Sequence, residues 1–148
     1  MDARAGEVSA VGAGVGTAAI AGVLMLAASA DARACGEALP PPTDRIANAR
    51  YEIVFAARPD PIATGKHFSL DIAVCPRDGA PAPTALRVDA VMPEHRHGMN
   101  YRPEVTARDA GIYRANGLMF HMPGRWDILF DLVTGSGTER LSATKRIE

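Results

Sequence analysis

The chain has 148 residues, of which 16 are Lys or Arg and 17 are Asp or Glu, so its formal net charge is −1. A length of this order indicates one domain with an extension. Because there is no basic excess to attract phosphates, we predict no nucleic-acid partner.

An uncharged segment, AVGAGVGTAAIAGVLMLAA, occupies residues 10–28. The small-residue triplets ASA at 28–30 and ARA at 32–34 follow it, and this order is typical of a secretory signal peptide with its cleavage site. The segment is also long enough to span a bilayer, so an uncleaved membrane anchor is the alternative. Residues 1–30 are therefore predicted to be a signal peptide or an anchor. The rest of the chain is expected to be periplasmic or secreted, or else anchored and facing the periplasm.

The two cysteines, Cys35 and Cys75, are interpreted in the light of export. In an oxidising compartment a pair of cysteines most simply forms a disulfide, here closing a loop of about forty residues. A thiol metal site and a lipid-modified Cys35 are the alternatives. The chain has no C-x-x-C motif, which favours the disulfide.

The segments that follow define the predicted fold. Residues 31–50 contain the run PPP and are predicted to be an extended Pro-rich tether, because proline favours an extended backbone without a hydrogen-bonded ladder. From residue 51 onwards apolar and polar residues alternate, as in strands with one buried and one solvated face, and turn residues separate the strands at short spacing. We predict that 51–148 is an all-β domain, an immunoglobulin-like antiparallel β-sandwich of about seven strands. The alternating segments are YEIVFAARP, HFSLDIAVCP, ALRVDAVMP, IYRANGLMF, RWDILFDLV and ERLSATKRI.

The last long apolar face predicts the centre of the core. In RWDILFDLV, Trp126 shares one face with Ile128 and Phe130, while Asp127 and Asp131 share the other. We therefore expect Trp126 to be buried between the sheets.

The segment VMPEHRHGMNY, at 91–101, concentrates residues that bind soft metals. Pro93 has no N–H to donate, so the strand is predicted to end before it and a long loop to follow. In an extended loop the side chains of His95 and His97 point the same way, with Cβ atoms ~7 Å apart. Two imidazoles at this spacing can converge on one ion, and the thioether of Met99 would favour copper(I).

A second cluster of the same residue types lies in GLMFHMPGRW. If the strand that carries it ends at the same tip of the sandwich, His121 joins the two earlier histidines, with Met122 beside it. Glu94 is expected to accept a hydrogen bond from a ring N–H, and Tyr101 to pack over the site. The structural alternative is a set of solvated loop histidines with methionines that fill gaps in the core.

These segments also resemble a known family. MPEHRHGM at 92–99 and GIYRANGLMFHMPGRWDILFDL at 111–132 are similar to the YtkA-like domain family, whose FixH-like members carry the domain behind a membrane segment. The shared pattern is MP-x-H-x-H followed by G-x-Y and M-x-G-x-W, and the resemblance extends over about residues 51–133. It implies an exported immunoglobulin-like sandwich without established catalysis, found near heavy-metal efflux and copper-oxidase assembly systems. Arg96, between the two histidines, departs from the family, in which small residues are common there.

The function predicted from the sequence is copper binding for metal handling or delivery, by an exported domain with His95, His97, Met99 and His121 as ligands. The expected partner is a membrane metal-transport or oxidase-assembly complex. The alternative is a metal-free interaction module that docks on a membrane complex through the 93–104 loop. No Ser-His-Asp set with a recognisable context and no activated cysteine is present, so we predict no enzyme activity.

Overall fold

The structure, a computed structural model, describes residues 34–148, and this part of the chain is all-β. The predicted signal peptide or anchor at 1–30 lies outside the described residues. Within 34–148, no helix is long and apolar enough to cross a membrane. The strands in chain order are β1 (Asp44–Ala47), β2 (Tyr51–Arg58), β3 (His67–Pro76), β4 (Ala85–Met92), β5 (His97–Gly98), β6 (Glu104–Asp109), β7 (Ile112–Met119), β8 (Gly124–Thr134) and β9 (Gly137–Ile147).

The strands form two sheets that pack against each other. One has the order β1-β2-β3-β7-β6 and the other has the order β5-β4-β8-β9, with antiparallel pairing throughout. Apart from β1 and β5, which lie at sheet edges, this is the strand order of an immunoglobulin constant-type domain. The predicted antiparallel β-sandwich is confirmed, with the two edge strands added to the expected seven.

Six of the strands coincide with the six alternating segments of the sequence, namely β2, β3, β4, β7, β8 and β9. The prediction of one long loop after β4 is wrong, because β5 and β6 lie within that stretch. Neither strand has a pattern that reveals it: β5 has two residues, and in β6 only Val105 is partly buried. An edge strand exposed on both faces has no apolar alternation for a sequence to show.

The core lies between the two sheets. The inward face of β8 is fully buried, since Trp126, Ile128, Phe130 and Leu132 are all 0% exposed. The predicted burial of Trp126 is therefore confirmed. The ring centroid of Phe130 lies 5.1 Å from that of Phe55 on the facing sheet, which joins the two layers through an aromatic pair.

The outer face of the five-stranded sheet is covered in part by the segment before β1. Leu39 is buried there against Val54 and Ala73, in a small apolar cluster separate from the main core. Residues 44–47 then pair with β2 as β1. Much of the predicted tether at 31–50 therefore belongs to the domain. Composition does not reveal this, because the contacts that hold the Pro-rich segment against the sheet are one apolar side chain, one disulfide and one short edge strand.

A disulfide between Cys35 and Cys75 fastens this covering segment to the C-terminal end of β3, as the cysteine count predicted. Gly36 follows the first cysteine with a φ of 76°, and a Cβ atom there would overlap the side chain of Val54. Glycine thus allows the backbone both the left-handed conformation and the close approach to the sheet.

Charged side chains on the strands pair with neighbouring strands. Lys145 interrupts the apolar face of β9, and its ammonium forms an ion pair with Asp44 of β1, at the edge where the two sheets meet. Arg140 donates two hydrogen bonds to Asp131 across β9 and β8. These hydrogen bonds lower the pKa of the Asp131 carboxyl below its ordinary value of 3.8.

The double variant Cys35→Ser/Cys75→Ser should lower the free energy of unfolding by about 3–4 kcal/mol, because the disulfide removes entropy from the unfolded chain. Urea unfolding of the oxidised protein and the variant measures this difference. Reductant should weaken the wild type by a similar amount and leave the variant unchanged. Two free thiols in the non-reduced protein, detected by mass spectrometry, would contradict the pairing.

Trp126→Ala should lower the free energy of unfolding by about 3–5 kcal/mol, because it leaves a large cavity between the sheets. Ser142→Ala, on the exposed face of β9, is the control and should change stability by less than about 0.5 kcal/mol. Both values are obtained from urea unfolding. A cost below about 1 kcal/mol for the tryptophan variant would show that the indole is not the centre of the core.

Candidate metal centre

Three histidines lie side by side at one end of the sandwich. His95 is in the turn between β4 and β5, His97 begins β5, and His121 is in the link between β7 and β8. The ring centroids of His95 and His97 are 5.8 Å apart, and those of His97 and His121 are 5.0 Å apart. The expectation that the two sequence clusters meet at one tip therefore agrees with the structure, with His97 as the ring in contact with both others.

A tight turn, rather than an extended loop, brings the first two rings together. The His95 N–H donates to the carbonyl of Met92 at 3.1 Å, and the Met99 N–H donates to the carbonyl of Ala90 at 3.1 Å. Between them Arg96 has a φ of 56°, a left-handed conformation that costs on the order of 1–3 kcal/mol in a residue other than glycine. Residues 93–96 are therefore not extended, which was the condition for the two side chains to point the same way, and a strained turn held at both ends takes the place of that geometry.

His97 has one nitrogen engaged and one free to bind a ligand. Its Nδ1 lies 3.2 Å from the carbonyl oxygen of Gly98. A carbonyl oxygen only accepts hydrogen bonds, so this contact requires the proton on Nδ1 and leaves the lone pair of the neutral ring on Nε2. A backbone carbonyl commonly fixes the tautomer of a metal-binding imidazole in this way.

His121 has a buried nitrogen without a partner. Its Nδ1 is inaccessible to solvent and makes no hydrogen bond within residues 34–148. An unsatisfied polar atom of this kind costs about 1–3 kcal/mol, and a bound ion is one of the partners that can satisfy it.

Aromatic side chains of the core lie directly beneath the histidines. The indole of Trp126 meets the ring of His121 edge to face at a centroid distance of 5.3 Å. The ring of Phe120 stacks on the same indole at a centroid distance of 4.8 Å. The indole N–H donates to the carbonyl of Met122 at 3.0 Å, which fixes the link that carries His121. Gly124 closes this link, and a Cβ atom there would overlap the methyl group of Met92. Alternation along β8 predicted that Trp126 lies in the core but not that it lies beside the histidines. The M-x-G-x-W spacing is the signal for this, because it places Trp126 four residues after Met122.

The donor set combines imidazoles with thioethers. Met99 and Met122, which follow His97 and His121 in the chain, are both partly buried and pack against the core. Across the described residues, no three side chains drawn from His, Cys, Asp and Glu converge closely enough to hold a metal ion. The arrangement offers a pair of neighbouring imidazoles. A thioether from Met99 would add the soft donor that favours copper(I).

Glu94 and Tyr101, which were predicted to surround the histidines, have other partners. The carboxylate of Glu94 lies 3.7 Å from the guanidinium of Arg125, rather than at a histidine N–H. The ring of Tyr101 is 44% exposed and meets His67 edge to face at 5.0 Å. His67 is also at this end of the sandwich, where it pairs with Met119 across β3 and β7. The structure thus links Tyr101 to the one histidine that had no role in the sequence-based prediction.

The fold and the cluster together define a small β-sandwich domain of immunoglobulin topology, with three neighbouring histidines at one end. Comparison of the chain with protein-family models, curated proteins and solved structures gives no match. The resemblance to the YtkA-like family therefore stays a prediction.

His121→Leu should stabilise the metal-free protein, because it removes the buried Nδ1 that has no partner within residues 34–148 while preserving apolar contact with Trp126. The gain should be up to about 1–3 kcal/mol in urea unfolding. His67→Leu, at an exposed position, is the matched control and should have little effect. A clear loss of stability in His121→Leu would show that the imidazole already has a partner in the folded protein.

Proposed function

We propose that this protein is an exported copper-binding domain that serves metal handling or delivery. His97 and His121 are the principal ligands, Met99 supplies the thioether, and the exposed ring of His95 extends the cluster to the surface. The single observation that carries the proposal is the buried Nδ1 of His121, which has no partner within residues 34–148 and belongs to a ring 5.0 Å from that of His97.

Copper is the ion that this donor set favours. Neutral imidazole binds copper in either oxidation state, and a thioether shifts the preference towards copper(I) over zinc, magnesium or calcium. The disulfide is consistent with an oxidising compartment such as the periplasm. The resemblance to a family found near copper-oxidase assembly supports the same choice, with a membrane metal-transport or oxidase-assembly complex as the partner. We propose no catalytic activity.

Copper(I) titration of the oxidised protein should quench the fluorescence of Trp126, which is the single tryptophan of the chain and contacts both principal ligands. Quenching should saturate at one copper per domain. His97→Ala and His121→Ala should each weaken binding by more than the roughly 10–100-fold that loss of an outer partner costs. The affinity should fall as the pH is lowered, because the ligand imidazoles bind metal in their neutral form.

His67→Ala is the control for this titration, because its ring packs on Tyr101, and it should retain the wild-type affinity. Met99→Leu should reduce the preference for copper(I) over zinc, because it removes the soft thioether ligand. Equal and weak copper binding by the wild type and by the double variant His97→Ala/His121→Ala would contradict the proposal.

The second candidate function is a metal-free interaction module that docks through the 93–104 segment. The observation in its favour is Tyr101, the one large hydrophobic side chain that is exposed in the described part of the chain. Exposed tyrosines are frequent anchors of protein interfaces. Under this alternative Tyr101→Ala abolishes docking on a membrane complex, and variants of His97 or His121 leave docking intact.

A further inference from the structure

The three histidines differ in their access to solvent, and the difference follows their order in space. His95 is exposed, His97 is partly buried, and the ring of His121 is partly buried with its Nδ1 fully enclosed. The rings form a file in which each touches the next, at 5.8 and 5.0 Å. The three imidazoles therefore extend from the surface of the domain to the edge of its core.

The two ends of this file are held differently. His121 is fixed by its contact with Trp126 and by the hydrogen bond between the indole and the link that carries it. His95 lies in a turn whose four residues, 93–96, are all exposed, so another molecule can reach its ring. The exposed ring is suited to exchange with an outside ligand, and the enclosed ring is suited to retention.

We propose that His95 is the exchange ligand of the copper site, an inference that rests on the proposed function. His95 binds copper(I) while the ion is still bound to an outside donor, and His97 then takes the place of that donor. As the bonds to His121 and to the Met99 thioether form, the bond to His95 breaks. The oxidation state of copper is unchanged, and release follows the same steps in reverse.

The geometry supports the central position of His97 in this sequence of steps. A nitrogen–metal bond is about 2 Å long, so two rings whose centroids are about 5–6 Å apart can share one ion. His97 is the ring in contact with both others, and its Nδ1 hydrogen bond to Gly98 keeps Nε2 as the ligand nitrogen throughout. The file thus offers two neighbouring pairs of imidazoles, an outer one and an inner one, with His97 common to both.

The test separates the rate of copper transfer from the affinity. The oxidised full-length protein, loaded with one copper(I), is mixed with excess bicinchoninate, and transfer is followed by the absorbance of the chelator complex. His95→Ala should leave the dissociation constant within about threefold of the wild type and slow transfer by about tenfold. The constant changes little because the rates of copper binding and copper release fall together. His121→Ala should instead raise the dissociation constant by more than about tenfold. His95→Met, which restores a soft exposed ligand, should restore the rate, and His67→Ala should match the wild type.

Two outcomes would overturn the inference while leaving the proposed function intact. If His95→Ala raises the dissociation constant as much as His121→Ala does, His95 is an ordinary ligand. If it changes neither the affinity nor the rate, His95 takes no part in binding. Failure of the wild type itself to bind copper would overturn the proposed function and this inference together.

Discussion

The whole end of the sandwich that carries the histidines depends on the indole of Trp126. A fully buried indole N–H must find an acceptor, and the carbonyl of Met122 supplies it. This hydrogen bond fixes the link between β7 and β8 in space, and the link carries His121. The same ring supports His97 from below, so the position of two of the three histidines is set by the core rather than by the loops. If copper binds as proposed, these two rings are already in position before the metal arrives, which limits the ordering cost of binding.

The five-stranded sheet is buried on its inner face and in part on its outer face, whereas the outer face of a simple sandwich sheet is exposed to solvent. Its inner face meets the core, and its outer face is covered in part by Leu39 and the disulfide-linked segment. For this reason β2 contains five consecutive buried residues, from Ile53 to Ala57, although its sequence alternates in the apolar positions that face the core. The added cover compensates for the modest area that a domain of this size can bury between two sheets.

The sequence predicts the features that depend on local pattern and fails at those that depend on loop geometry. The six central strands follow from alternation, and the disulfide follows from a cysteine pair in a chain with a predicted export signal. The association of His121 with the other two histidines was predicted only on the condition that the two strands end at the same tip, and the sheet topology meets that condition. The left-handed conformation of Arg96 was not predictable, because nothing in an arginine favours it and only the hydrogen bonds on either side impose it. The partners of Glu94 and Tyr101 depend in the same way on where separate loops meet.

The disulfide also lies at the end of the domain opposite the histidines. Strand β3 runs from His67, at the histidine end, to Cys75, where the covering segment is attached, a length of about 26 Å. The backbone of Ala34 therefore joins the domain at the end remote from the histidines, whereas Glu148 lies among the loops at the histidine end, where its carbonyl accepts a hydrogen bond from Thr64. A fluorophore or solid support linked before Ala34 leaves the histidine end of the domain open to solution. A polyhistidine tag placed after Glu148 would put foreign imidazoles within reach of the same ions.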